Sequence, residues 1–398
     1  MRTVELLAPA GDLEKLKVAL HYGADAVYIG GKDYSLRARA SNFDLEMIQE
    51  AVEYAHAHDK KVYVTTNIIP QPGDLEGFIE YVKTLEGFGV DALICASAAM
   101  VSLVKAHTTL DVHLSTQQSV LNSGAVSFWA DHGVSRVVLA REVTLEELEA
   151  LMPHTPIEVE VFIHGGMCVS YSGKCTLSNT MSLRDANRGG CAHSCRWNYE
   201  LYQGDQKHSQ KSPFSMASKD LQAVQYIPRL IDLGVASLKI EGRMKSIHYI
   251  ATVVKTYRTI IDAYLKDGMI DTDAHVTAIK KAENRLTSHG FMAGMTTVNE
   301  QLYNMRSEQP TQAFVALVLD YDTTTGRALI EQRNHFTVGD TLEVLSPHTG
   351  TITFSVTALE DEETKESITV ARHPKARMWI PVPIALKPYD MLRKASEQ

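Results

Sequence analysis

Residues 13–31 read LEKLKVALHYGADAVYIGG. Apolar side chains fall at helical spacing over 13–22, a Gly follows where a helix should end, and residues 26–29 form a short β-branched run. The same phrase returns along the chain. Gly89-Val90-Asp91-Ala92, Gly133-Val134-Ser135-Arg136 and Gly234-Val235-Ala236-Ser237 each set a helix-ending Gly just ahead of an apolar strand. Eight strand candidates result: residues 4–8, 26–29, 61–66, 92–96, 112–115, 136–140, 157–163 and 237–240. Helical patterns cover 13–22, 45–58, 75–88, 98–105, 120–132 and 145–152. Strand and helix alternating at this spacing predict parallel βαβ units. Eight such units predict an α/β fold of the (β/α)₈ TIM-barrel type rather than an open doubly wound sheet.

Outward from the barrel, helices over 246–267 and 272–286 complete a first domain of residues 1–308, which carries a Cys-rich insertion at 165–219. The texture then changes to alternating strands at 314–320, 327–332, 341–345, 351–359 and 367–371. These predict a small all-β, barrel-like domain over 309–398, with the boundary at Glu308-Gln309-Pro310. A chain of 398 residues with 44% hydrophobic and 22% charged content suits two globular domains. The N-terminus lacks a signal-peptide pattern, and no stretch approaches the roughly 20 apolar residues that span a bilayer. The expected location is therefore cytoplasmic and away from membranes, which argues against disulfides.

A net charge of −9 disfavours a protein that coats nucleic acid nonspecifically, because such binding rests on Lys and Arg meeting phosphates. A local basic face is still present. Arg372, Lys375, Arg377, Lys387, Arg393 and Lys394 stand against Asp390 alone, near Trp379 and Tyr389. It reads equally as an ordinary solvated surface.

Four of the five cysteines, Cys168, Cys175, Cys191 and Cys195, sit in the insertion, just past the seventh strand. Thiolates are soft ligands, so four together suit zinc or an iron–sulfur cluster. Six, fifteen and three residues separate them in turn, and only the last pair has the tight spacing of a zinc knuckle. Spacing leaves both metals open. Asn198 stands where a radical enzyme using S-adenosylmethionine would need its third cysteine. Gly173-Lys174 is not a phosphate loop, since Cys168 and Cys175 occupy required Gly and Ser/Thr positions. Cys95, ending the fourth strand, reads as a core thiol.

In a (β/α)₈ barrel the working residues cluster at the C-terminal strand ends. Candidate acid/base groups are Glu160, His164, Lys219, Asp220 and Glu241. Candidate substrate-binding groups are Arg37, Arg39, Asn67, Gln117, Arg141 and Arg243, of which the Arg forks suit a small dicarboxylate. For any single Arg the alternative is an ion pair with Glu142, Glu160 or Glu241. For His164 it is a satisfied structural histidine. No metalloprotease helix or serine-hydrolase elbow is present.

Several of these stretches together resemble the peptidase U32 family. They are residues 160–168 (EVFIHGGMC), 173–178 (GKCTLS), 5–12 (ELLAPAGD), 26–31 (AVYIGG) and 237–243 (SLKIEGR). The likeness runs over nearly the whole chain, small β domain included. Despite the family's name, the resemblance implies an oxygen-independent hydroxylase with a [4Fe–4S] cluster on four cysteines. Here those ligands would be Cys168, Cys175, Cys191 and Cys195, with zinc the alternative. The two-domain length resembles members that hydroxylate the wobble uridine of tRNA at carbon 5, giving 5-hydroxyuridine, with prephenate as oxygen source. The implied partners are tRNA and that dicarboxylate, which the Arg set would hold. The alternatives are a U32-type peptidase or collagenase, and a hydroxylase of rRNA or another substrate.

Overall fold

The computed structural model describes residues 3–36, 42–208, 214–282, 285–302 and 314–395. Eight parallel strands, β1 Glu5–Pro9, β2 Ala26–Gly30, β3 Lys61–Thr66, β4 Ala92–Cys95, β5 Asp111–Leu114, β6 Arg136–Val138, β7 Glu158–Gly165 and β8 Ser237–Ile240, pair in sequence order. β8 pairs with both β1 and β7, so the barrel is closed, as the repeated phrases predict.

The third position of the Gly-x-Asp phrase explains the repeat. Asp25 accepts the amide of Leu6 in β1 at 2.9 Å, and Asp91 accepts that of Val62 in β3 at 2.8 Å. Ser135 donates to the Val112 carbonyl of β5 at 3.2 Å. Asp25 and Asp91 thus fix the start of the neighbouring strand by meeting one of its amides, while Ser135 adds its hydroxyl to a carbonyl that its own amide already meets at 3.0 Å.

Helices α1 Leu13–His21, α2 Leu45–His56, α3 Phe78–Gly87, α4 Ala98–His107, α5 Ser123–Asp131 and α6 Leu145–Leu151 surround the barrel. Their buried faces share one apolar core with the outward faces of the strands. Two starts differ from the periodicity. α3 begins late because Gly77 adopts φ +72° after a 3₁₀ turn at Pro72–Leu75. α5 begins at Ser123 because the Asn122 side chain accepts from the Ala125 amide as N-cap. α7 Leu177–Ser182 lies in the insertion, and α8 Ile227–Asp232, unread from the sequence, precedes β8. α9 Ile247–Asp267 buries Ile250, Val253, Val254, Tyr257, Ile260 and Ile261, with α10 Thr272–Lys280 beyond it. Each such apolar side chain contributes about 1.5–3 kcal/mol.

The lower half of the barrel interior is charged. Glu160, 0% exposed, accepts from Lys239 Nζ at 2.7 Å and Arg136 Nη1 at 3.2 Å. Arg136 also meets Glu5 at 2.6 Å and Glu158 at 2.7 Å, and Tyr63 donates to Glu5 at 2.6 Å. A buried charge must be paired in this way.

Strands of the C-terminal domain form an eight-stranded antiparallel sheet around a second apolar core. The run read as one strand over 351–359 divides into Ile352–Ser355 and Leu359–Asp361. The basic stretch contains two further strands, Arg377–Pro381 and Met391–Lys394. Arg393 there is buried on Glu343 and Lys394 pairs with Asp340, so part of the basic run serves the fold. Leu317, Leu345 and Met391 join the barrel's core, and Tyr22 donates to the Leu345 carbonyl at 2.6 Å. Among the described residues no helix is long and apolar enough to cross a membrane.

Candidate active site at the barrel mouth

β7 ends on Gly165, at φ +106°, and an added Cβ would lie 2.5 Å from the Glu241 carbonyl oxygen. Only glycine fits where the chain turns off the barrel. The insertion then crosses the mouth and is pinned on the way. Ser172 N donates to Glu142 at 3.0 Å, and the Gly173 turn packs directly on the Gln117 backbone. Asn187 Nδ2 donates to the Cys175 carbonyl at 2.9 Å, while its own carbonyl accepts from Ile69 N at 3.1 Å. Arg188 meets Asp74 at 2.7 Å. The loops after β6, β5 and β3 therefore hold one lid.

All four insertion cysteines line a single cavity of about 1120 Å³ beneath this lid. None is in a disulfide. Burial pushes the Cys195 thiol up to about 11; Arg196 opposes this, and Cys168, Cys191 and Cys175 each add to it. Among the described residues no three of His, Cys, Asp and Glu are drawn together tightly enough to hold one metal ion. What the four cysteines share with a thiolate-held metal group is the chemistry of the donor set, four soft sulfurs on one cavity wall.

A charged cluster adjoins them. The short strand Asp220–Gln222 returns antiparallel to the end of β7, pairing Leu221 with Gly165, and so delivers Asp220 to the mouth. A Cβ on Gly166 would lie 3.3 Å from Arg196 Nη2, 3.5 Å from Glu241 Oε2 and 4.0 Å from Asp220 Oδ1. Asp220, 4% exposed, faces Arg285 at 3.5 Å, Lys245 at 3.6 Å and Arg196 at 3.9 Å. Burial raises its carboxyl pKa; Lys245 and Arg196 pull it back, and Glu241 reinforces the rise. Gly166 N donates to Glu241 Oε2 at 3.3 Å. Glu241 and three cations therefore line the cavity beside the thiols, with Asp220 buried against the cations.

Of the candidates read from the sequence, Asp220 and Glu241 come together, and Gln117 and Arg141 line the cavity. Arg141 stacks on Phe162 at 3.7 Å. The others are placed differently. Glu160 belongs to the ion cluster inside the barrel, where Lys239 and Arg136 occupy its oxygens. His164 is sealed against Tyr249 and Tyr257, and burial pushes it down to about 3, a neutral structural histidine. Lys219 donates its amide to the Glu300 carbonyl at 2.8 Å and is not among the cavity-lining residues. Asn67 Oδ1 accepts from Leu36 N at 3.0 Å. Arg243 is a buried clamp, donating to Ser35 at 3.0 Å, Thr65 at 2.9 Å and the Leu36 carbonyl at 2.7 Å. It shapes the loop after β2. Arg37 and Arg39 lie outside the described residues. Cys95 is buried and pushed up to about 12, a core thiol.

Sequence reasoning missed Arg196, Lys245 and Arg285. The first two had a signal, since Arg196 follows Cys195 and Lys245 lies five residues past the end of β8. Arg285 had none. It reaches the mouth only through the packing of the chain after α10.

A closed parallel barrel whose mouth gathers four free thiols beside a buried acid–cation cluster carries its candidate site where barrel enzymes carry theirs. The chain belongs to peptidase family U32: the family's model matches residues 11–302, and that of the U32 C-terminal domain matches residues 310–393. It is 44% identical to the tRNA hydroxylation protein P1 of Bacillus subtilis (strain 168), over 98% of this chain and 94% of that one. It is 34% identical to the tRNA hydroxylation protein P of Escherichia coli (strain K12), over 95% and 94%. The 23S rRNA 5-hydroxycytidine C2501 synthase of Escherichia coli (strain K12) is 37% identical over 66% of this chain and 40% of its own length.

Proposed function

We propose that this chain is an RNA-modifying hydroxylase. The observation that carries the reading is 44% identity, across both domains, with a protein named for tRNA hydroxylation. Within that class, our reading is hydroxylation of the tRNA wobble uridine at carbon 5, with prephenate as oxygen source. Cys168, Cys175, Cys191 and Cys195 would hold an iron–sulfur cluster of the [4Fe–4S] type, which supplies one-electron chemistry when bound.

The chain's own residues support this reading. The cavity is large enough for a base that has left its stack, as chemistry on a ring carbon requires. Arg141, Arg196, Lys245 and Arg285 offer the cations that would orient a dicarboxylate. Glu241 and Asp220 would hold or move a proton over Gly166, in a site the lid shields from water.

Nucleoside mass spectrometry of tRNA from a strain lacking the gene tests the function. Loss of wobble 5-hydroxyuridine and its derivatives, restored by the wild-type gene and not by Cys191→Ser, is the expected result. Normal nucleosides in the deletion strain would sink it. Iron and sulfide analysis of anaerobically purified protein tests the metal: about four irons per chain are expected, and zinc alone would reject the cluster.

A further inference from the structure

The lid differs from the rest of the surface in two respects. Seven of the eighteen large apolar or aromatic side chains exposed among the described residues lie between Val169 and Tyr202. The insertion, residues 165–219, also carries seven Lys and Arg against three Asp and Glu, in a chain of net charge −9. Arg188, Arg196 and Lys207 meet Asp74, Asp220 and Glu200, while Lys174 is exposed beside Tyr171. Exposed apolar and aromatic side chains in a cationic segment of an acidic protein suit a partner that offers both apolar faces and negative charge.

Three side chains stand out by position. Tyr171 lines the cavity and closes one turn with Lys174, whose amide donates to the Tyr171 carbonyl at 3.0 Å. Gly173, at φ +72°, makes that turn and rests on Gln117, so the backbone that carries the ring is fixed at the cavity edge with the exposed Lys174 next to it. Trp197, 41% exposed, follows Cys195 and Arg196, both on the cavity wall. Leu183 is 93% exposed and ends α7, whose Leu177 and Ser178 line the cavity. Its φ of +53° puts a leucine in the left-handed region, while its side chain packs on almost nothing. Neither feature is offset by packing within the described residues, which marks Leu183 as a contact for something outside the chain.

Aromatic rings stack on unpaired bases whatever their identity, while neighbouring cations meet the phosphates. We propose that Tyr171, Trp197 and Leu183 form a stacking platform for unpaired nucleotides of an RNA loop, next to the nucleotide that enters the cavity. This rests on the RNA-modifying reading above and adds where the neighbours of the modified nucleotide lie. A protein partner would cover apolar side chains too, but the excess of Lys and Arg favours the polyanion.

The test is fluorescence anisotropy with a labelled RNA hairpin carrying an unpaired loop, against a fully paired duplex of equal length. Tyr171→Ala and Trp197→Ala should each weaken hairpin binding by about tenfold or more, and the Phe replacements by no more than about twofold. The salt dependence should stay unchanged, because no charge is removed. Leu183→Ser, at a site too exposed to unfold the protein, should also weaken hairpin binding while sparing the duplex. Folded alanine and serine variants that bind the hairpin like wild type overturn the platform and leave the hydroxylase reading intact. Wild-type protein that binds neither hairpin nor tRNA overturns both. Trp197 emission, followed in a Trp129→Phe, Trp379→Phe background, should move on adding the hairpin. A shift with protein concentration alone would assign the patch to a second copy of the chain and overturn the proposal.

Discussion

Arg188 donates through Nη2 to both carboxylate oxygens of Asp74, at 2.8 and 2.7 Å. The pair ties the cysteine-bearing lid to the loop after β3, on the far side of the mouth from β7. The Gln71 backbone amide, then Arg188, holds the Asp74 carboxyl below its ordinary range. Arg188→Ala or Asp74→Ala should leave the barrel folded and free the lid. Limited proteolysis should cut faster within residues 169–208 while the melting temperature moves little. Equal cleavage in variant and wild type would show that the other contacts suffice.

Gly165→Ala should be among the most damaging single methyl additions. It meets a left-handed φ and the Glu241 carbonyl together, and strain of this kind costs about 1–3 kcal/mol before any clash is counted. Thermal unfolding should drop by several degrees. The fault should reach the site as well, since the displaced carbonyl belongs to Glu241.

Lys239→Met leaves Glu160 buried beside Arg136 alone and should destabilise the barrel by about 3–5 kcal/mol. Adding Glu160→Gln should recover much of that loss in denaturant unfolding. If the double variant is no better than the single one, the ion cluster is not what holds the interior.

His164 and His248 are both pushed down to about 3, chiefly by burial. Unfolded, each returns to an ordinary value near 6.5. The unfolded state therefore binds more protons between these values, so the stability is full above about pH 6.5 and falls toward pH 3. Each contributes about 1.4 kcal/mol per pH unit in that window. Denaturant midpoints measured from pH 7 to pH 4 should fall less steeply in His248→Phe than in wild type; parallel curves would reject this.

On the cluster proposed above, Cys95→Ala should leave the metal content unchanged, because its thiol is buried against Thr66 at 3.1 Å and is not among the cavity-lining residues. Serine at Cys168, Cys175, Cys191 or Cys195 should lower iron and sulfide together. Unchanged iron in all four would move the metal elsewhere.

The barrel was legible because it is written locally: Gly23 ends a helix, Asp25 holds the neighbouring strand, and the phrase repeats. The mouth was legible in part. Glu241 and Arg141 sit at strand ends, where a barrel places its chemistry, but the same rule promoted Arg243 and His164, which face inward to pack. Side-chain direction at a strand end depends on register, and β8 shifts register between Lys239 and Ile240 against β7. Arg285 and the returning strand at Asp220 depend on contacts between segments far apart in sequence. Periodicity carries no trace of those.

His248, which lines the cavity, stacks on Phe314 with 5.6 Å between ring centroids, and Arg333 reaches across from the β domain to Glu14. Phe314, Arg333 and Asn334 are thus part of the cavity's wall, although they come from the tail of the chain. The doorway is shared property of two domains, while the thiols and acids behind it belong to the barrel alone. A change confined to Phe314, Arg333 or Asn334 would therefore alter what can enter without touching the thiols or the acids inside.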